Sequence, residues 1–416
     1  MTYLPRQLEG KIEKYVRQFP AVILTGARQT GKSTLLKHLF LNKDDWKYIT
    51  LDQRGVLERI QSDPDLFVKD IDSNVIIDES QKAPNLFHSI KWKIDQGTKH
   101  KIILSGSANF HLMHSVTETL AGRAGVLELF PLSLSEKYKK RSFLLGMLLA
   151  AKTPCQLIES LKNSSSLPES AVVQHILWGG YPKLLEYRNA EAKLNWFENY
   201  RTIYIERDLR DLTQVADMND FQRFYQALAF QSGGILNLSS LANDLGISVP
   251  TCKKYLDILI LSYQFFALPA YHLNVKKRLI KSPKIYITDT GLGNYLTENL
   301  AIGQKLKASA MFGRILENAL IAEIMKHNTI VSQRCHLFFW RTSNGAEVDL
   351  IIEHGNDLIP IEIKANVQVS NLSIRGLIDF VKLKTSKTVR FGVVIYRGEE
   401  VVRLSERIVA IPMKYI

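Results

Sequence analysis

Gly26-Ala27-Arg28-Gln29-Thr30-Gly31-Lys32-Ser33 satisfies G-x-x-x-x-G-K-[ST], and it lies between the apolar β-branched run AVILT (21–25) and a helix predicted to start near Lys32. The pattern has chemical meaning in that setting. Glycines let backbone N–H groups turn inward on a β-phosphate at a helix start, the lysine reaches the β- and γ-phosphates, and the hydroxyl ligates Mg²⁺. The stretch Gly26, Ala27, Arg28, Gln29, Thr30, Gly31, Lys32, Ser33 and Thr34 is therefore the predicted phosphate cradle, with ATP and Mg²⁺ as its expected ligands.

Outward from this loop, short strand-like runs alternate with helical stretches: YITLD (48–52), NVIIDE (74–79) and KIILSGS (101–107). Strands separated by helices imply a parallel sheet with crossover helices, so the first domain reads as α/β. The run ending in Asp78-Glu79 supplies the acidic half of the site. Asp78 is expected to hold the Mg²⁺ shell and Glu79 to polarise the attacking water as general base. Ser107, closing the next strand, is the predicted γ-phosphate sensor. Arg123, in LAGR (120–123), is a candidate arginine finger acting from a neighbouring copy, with a surface ion pair as the alternative.

The bulk properties set wider bounds. The chain has 416 residues, 46% hydrophobic and 23% charged, a globular composition long enough for two or three domains. Its net charge of +13 is compatible with an anionic partner such as nucleic acid. Cys155, Cys252 and Cys335 lie far apart, which suggests neither a disulfide framework nor a zinc site and fits a reducing cytoplasm. The longest apolar run, Phe143 to Ala151, falls short of the roughly 20 residues a membrane helix needs, and MTYLPRQLEG lacks a signal-peptide layout. Neither a membrane anchor nor secretion is expected.

Residues 150 to 235 read as helical, with Gly179-Gly180 before Pro182 and a turn signal at Asn163–Ser166 ahead of Pro168. Residues 237–256 have the cadence of a helix-turn-helix. Leu241, Ala242 and Leu245 pack one helix, Gly246 turns the chain, and Ser248 caps a second helix exposing Lys253 and Lys254. The basic residues His272, Lys276, Lys277, Arg278, Lys281 and Lys284 are placed in a wing facing phosphates, with a packing module as the alternative. Trp178, Tyr181, Trp196 and Tyr200 read as core.

The last hundred residues return to mixed α/β: a helix near 310–326, strands at 336–341, 347–353 and 358–364, a helix near 371–384, and a strand in RFGVVIYRG (390–398). Glu362 and Lys364 share a strand face, because side chains repeat every second residue. With Asp349 on the preceding strand they form a set able to hold a divalent metal, Lys364 stabilising charge at a scissile phosphate.

GARQTGKST, VIIDESQKAPNLF, ILSGSAN and LAGRAGVLELFPLSLSE together resemble the prokaryotic AAA-type ATPases that carry a C-terminal domain of unknown function. WGGYPKLLE (178–186) and YIERDLRDL (204–212) resemble that family's middle section. The resemblance implies ATP, Mg²⁺ and an AAA-like fold. The C-terminal order of elements resembles the PD-(D/E)xK nuclease fold, with Val348 in place of the leading proline. That likeness adds Glu317 to Asp349 and Glu362 as a metal ligand and implies Mg²⁺ or Mn²⁺. Arg314, one helical turn from Glu317, offers a structural ion pair instead. The expected organisation is a P-loop AAA-type domain (1–150), a helical linker with a winged helix (151–300) and a restriction-endonuclease-like α/β domain (301–416). Two functions follow: an ATPase coupled to a DNA-associated, metal-dependent nuclease, or an ATP-dependent regulator whose nuclease-like domain binds without cleaving.

Overall fold

Ala21–Thr25 (β1) is buried at every position, which requires cover on both sheet faces and favours parallel neighbours. The computed structural model describes residues 3–43, 45–107, 119–140, 143–205, 217–274, 278, 281–300, 306–307 and 309–416. Residues 206–212 of YIERDLRDL, and Lys276 and Lys277 of the expected wing, lie outside them. The chain divides into two compact units: 1–132 with 181–218 and 256–264, and 133–180 with 219–255 and 265–416.

In the first unit, Glu9–Gln18 (α1) leads into β1, and Lys32–Phe40 (α2) follows the phosphate loop. Then come Trp46–Thr50 (β2), Arg54–Ser62 (α3), Pro64–Lys69 (α4), Asn74–Asp78 (β3), Leu86–Asp95 (α5), Ile102–Ser105 (β4) and Ala124–Glu128 (β5). The five strands are parallel in the order β2-β3-β4-β1-β5. Period-2 alternation sorts their side chains. Ala21, Ile23, Val75, Ile77, Ile102 and Leu104 share one core with Ile60, Val68, Phe87 and Ile90 from α3, α4 and α5. Because every strand runs the same way, β1, β3 and β4 release their carboxyl ends along one sheet edge, where open α/β sheets bind ligands. β5 is absent from the sequence reading. Its run AGVLE is short and only partly buried, yet Ala21 pairs with Ala124 and Thr25 with Glu128.

In the second unit, Leu238–Leu245 is joined by a short turn through Gly246 to Val249–Leu261, a helix whose residues 256–261 belong to the first unit, and the first of these helices is capped by Asn237, whose Oδ1 accepts from Ser240 N at 3.0 Å. Ser248 Oγ accepts from Thr251 N at 3.2 Å, and Lys253 and Lys254 are exposed. Phe265–Leu268 (β6) and Lys284–Ile287 (β7) follow as an antiparallel pair. The helix Phe312–Asn328 precedes His336–Arg341 (β8), Glu347–His354 (β9) and Asp357–Lys364 (β10). After them come the helix Arg375–Lys382, Thr388–Val389 (β11), Gly392–Tyr396 (β12), Val402–Arg403 (β13) and Ile408–Pro412 (β14). The sheet runs β13-β14-β12-β10-β9-β8, antiparallel at β8/β9/β10 and parallel from β10 to β12 to β14, with β11 on β10. Among the described residues, no helix is long and apolar enough to cross a membrane.

Candidate functional site

The loop after β1 has backbone that only glycine accepts at its first position. Gly26 has φ +148°, and a Cβ there would lie 2.1 Å from the Leu129 carbonyl oxygen. Gly31 (φ +93°) is the N-cap of α2, so the chain enters the helix with amide groups aimed into the loop. Lys32 is 7% exposed, and its Nζ donates to the carbonyls of Gly26 and Ala27, each at 2.8 Å. Thr30 Oγ1 donates to Ala27 O at 2.9 Å. Ser33 is half-buried in the first turn of α2 with Thr34 exposed beside it, while Arg28 is half-buried and Gln29, at φ +62°, is exposed.

Arg6 was not among the residues expected here. It is 7% exposed and forks across two carbonyls, Nη1 to Thr30 at 2.8 Å and Nη2 to Phe130 at 2.6 Å, tying the loop to the chain leaving β5. No motif marks it.

At the end of β3, Asp78 is buried and accepts three hydrogen bonds: Ser105 Oγ to Oδ1 at 2.5 Å, Glu79 N to Oδ1 at 3.1 Å and Tyr48 Oη to Oδ2 at 2.5 Å. Tyr48 on β2 thus holds Asp78, and its phenol lies close to Ser33, the other expected Mg²⁺ residue. Burial first, then Asp78, push the Tyr48 phenol well above its usual range, and it is the neutral donor at every working pH. Glu79 has φ +57°. Its Oε2 accepts from Gln81 Nε2 at 2.5 Å, and the same amide donates to Ser107 Oγ at 3.2 Å. Gln81 thus links the expected base to the expected sensor.

Arg123 lies at the other edge. It precedes Ala124, which pairs with the first residue of β1, placing it roughly 20 Å down the sheet from Gly26 at ~3.3 Å per residue. There it forks onto Asp95, Nε to Oδ1 at 2.5 Å and Nη2 to Oδ2 at 3.0 Å. It does not reach the phosphate loop of its own chain.

In the second unit, β9 and β10 bring Asp349, Glu362 and Lys364 together, but the three carboxylates expected to share a metal each face a different partner. Asp349 Oδ2 accepts from Ile363 N at 2.7 Å, and Glu362 Oε1 from Lys364 Nζ at 2.6 Å. Glu317 Oε1 accepts from Lys284 Nζ at 2.9 Å and Tyr286 Oη at 2.6 Å. No three Asp, Glu, His or Cys side chains among the described residues form a metal-holding group. The ion pair offered by Arg314 is replaced as well: its Nη2 donates to Ser232 O at 3.2 Å. Lys284, expected on an exposed wing, is 4% exposed and also lies 2.6 Å from Glu347 Oε1. Burial, then the Glu317 and Glu362 carboxylates, hold Asp349 well above the ordinary carboxyl range. Burial likewise pushes Glu362 up to about 7, with Lys364 opposing.

A separate buried polar network explains the FPLSLSE segment. Ser133 caps a short helix reciprocally with Glu136, and Glu323 Oε2 accepts from Leu134 N at 2.6 Å. Glu323 Oε1 accepts from His175 Nε2 at 3.2 Å and Lys326 Nζ at 2.9 Å, and His327 Nε2 shares a hydrogen bond with Ser135 Oγ at 2.9 Å.

Comparison with known proteins agrees with the geometry of the first unit. Residues 18–138 match a family model described as an AAA domain, and this part of the chain is a nucleotide-binding P-loop ATPase domain of AAA type. Residues 169–304 and 312–416 match two domains of unknown function, DUF8612 and DUF4143. An uncharacterized protein of Mycobacterium tuberculosis is 27% identical over 419 residues, covering 99% of this chain and 84% of the relative. One of Haemophilus influenzae is 22% identical over 386 residues, covering 87% of this chain and 85% of the relative. A solved Walker-type ATPase of Pyrococcus abyssi is similar with 18% identity and a TM-score of 0.47, covering 71% of this chain and 96% of its own.

Proposed function

We propose that the chain hydrolyses ATP at the carboxyl edge of the five-stranded sheet. The observation that carries this reading is that β1, β3 and β4 end at one edge, where Asp78, Glu79 and Ser107 are joined by hydrogen bonds directly and through Gln81, and Tyr48 on Asp78 lies close to Ser33. The residues fit Mg²⁺ and a triphosphate: the Gly26 backbone leaves no room for a side chain, and Ser33 and Asp78 present hard oxygen donors. Bound Mg²⁺ supplies neutralisation of charge on the β- and γ-oxygens. Lys32 exchanges the Gly26 and Ala27 carbonyls for phosphate oxygens. Glu79, aligned by Gln81, accepts the proton of the attacking water, and Ser107 donates to the γ-phosphate. Arg123 serves only a neighbouring copy, as a finger released from Asp95. The test is nucleotide retention: Glu79→Gln purified from cells should hold ATP, whereas the parent holds ADP or none. A Glu79→Gln protein that turns over ATP at the parent's rate removes Glu79 from the reaction.

For the remainder we infer a winged helix within 151–300 and a PD-(D/E)xK nuclease-like domain at 301–416, with nucleic acid meeting the exposed Lys253 and Lys254. Support comes from the order helix, three strands, helix, strand and from Asp349, Glu362 and Lys364 on adjoining strands. Metal-dependent cleavage needs Glu317, Asp349 and Glu362 free for Mg²⁺ or Mn²⁺. The pairing of Glu317 and Glu347 with the buried Lys284 instead favours binding without cleavage, the work of an ATP-dependent regulator or scaffold. Incubation with plasmid and single-stranded DNA in Mg²⁺ or Mn²⁺ should give no cleavage. Cleavage lost in Glu362→Ala restores the nuclease.

A further inference from the structure

Lys284 heads β7 and is the one charged residue of KIYI, and its head group must find partners in the interior, since a buried ammonium without counter-charges is too costly to keep. It finds two carboxylates, Glu317 Oε1 at 2.9 Å from the helix 312–328 and Glu347 Oε1 at 2.6 Å from β9. Tyr286, two residues along and on the same strand face, donates to that same Glu317 oxygen at 2.6 Å. Asp349 is close enough for its charge to act on Lys284, and Glu317 and Glu362 both act on Asp349. The ammonium therefore bridges Glu317 and Glu347.

The backbone that carries it is fixed. Lys284 pairs with Leu268 of β6 and bridges Ile235 on its other side. Leu236 N donates to Pro283 O at 2.8 Å, and Ile285 N to Gly234 O at 3.1 Å. At the far end of β7, Ile287 N donates to Asn318 Oδ1 at 3.1 Å and Asn318 Nδ2 returns a bond to Ile287 O at 2.9 Å. Asn318 follows Glu317 on the same helix, so strand and helix are stapled beside the ion pair. A divalent cation would need these same oxygens at about 2.0–2.6 Å, where the ammonium already bonds.

We propose that Lys284 is the resident cation of Glu317 and Glu347 beside Asp349, and that, with Lys364 on Glu362, it excludes divalent metal ions from this cluster. The proposal deepens the reading of this unit as one that binds without cleaving. Its test contains no nucleic acid, so a chain that fails to bind DNA overturns that reading and leaves this one standing.

The probe is Mn²⁺ alone, added to the full chain without nucleotide so that the phosphate loop lacks its metal's partner, and followed by the spectroscopic signal of free Mn²⁺. The parent should take up no Mn²⁺ that Glu317→Gln removes. Lys284→Met, which keeps the apolar stem, should gain one Mn²⁺ per chain at least about tenfold tighter than the parent, and lose it again with Glu317→Gln added. A folded Lys284→Met with no gain overturns the proposal, as does parental Mn²⁺ binding abolished by Glu317→Gln. If Lys284→Met does not fold, melting of the parent decides: a midpoint unmoved by Mn²⁺ supports a filled site, and a rise that Glu362→Gln abolishes overturns it.

Discussion

Tyr48 Oη donates to Asp78 Oδ2 at 2.5 Å and lies close to Ser33, so one side chain of β2 neighbours both residues proposed to hold Mg²⁺. Tyr48→Phe removes that link and leaves Asp78 its bonds from Ser105 and Glu79. The nucleotide-free protein should lose about 1–3 kcal/mol, the worth of a hydrogen bond to a charged group. Mg²⁺ should become easier to bind, because the phenol no longer competes for Asp78. Melting with and without Mg²⁺ and ADP checks both: the variant should melt lower alone and gain more from the ligands than the parent does.

Gly26→Ala is expected to fail at the loop itself. Its methyl group meets the Leu129 carbonyl at 2.1 Å, on a backbone at φ +148°. A cost of about 2–4 kcal/mol is expected from overpacking and strain together, with nucleotide affinity lost. Urea unfolding and binding of a fluorescent ADP analogue measure the two effects.

Arg6 gives a prediction that charge alone would not. Its fork satisfies the carbonyls of Thr30 and Phe130 at 2.8 and 2.6 Å in a buried place. Arg6→Met should cost about 2–4 kcal/mol and raise the KM for ATP, since both carbonyls lose a charged donor and the loop loses its tie. Arg6→Lys should recover less than half, because a single ammonium does not reproduce the fork.

The buried network around Glu323 sets a pH dependence. Burial pushes His327 down to about 4, against the opposing charges of Glu323 and Glu136 and with help from Lys326 and Lys140, and burial lowers His175 too. The folded chain favours neutral His327 while the unfolded chain protonates it near the ordinary value of about 6.5. The unfolded state therefore binds more protons between these values. This stability is full above pH 6.5 and falls toward pH 4, by about 3 kcal/mol at most for His327. Urea midpoints should drop across that window, with a shallower slope in His327→Asn.

The sequence made the phosphate loop, β1 to β4 and the C-terminal order of elements readable, because each rests on local periodicity and turn chemistry. What it left out depends on pairings over long separations. Tyr48 meets Asp78 because β2 and β3 run parallel, with Tyr48 beside Ile76. Arg6 reaches Phe130 only once β5 lies against β1. Lys284 stood at the end of a basic run and was read with it. The alternation Lys-Ile-Tyr-Ile after Pro283 was the available sign that Lys284 and Tyr286 share a strand face, and Glu317 is their common partner. Helical spacing alone pairs Glu317 with Arg314, whose guanidinium instead donates to Ser232 O.

The most direct measurement is phosphate release by the full chain with Mg²⁺ and ATP, beside Lys32→Ala and Glu79→Gln. The parent should release phosphate continuously, Lys32→Ala should neither bind ATP nor release phosphate, and Glu79→Gln should bind ATP without turnover. Phosphate release by Lys32→Ala at the parent's rate, or none from a parent that melts as a folded protein, would contradict the account.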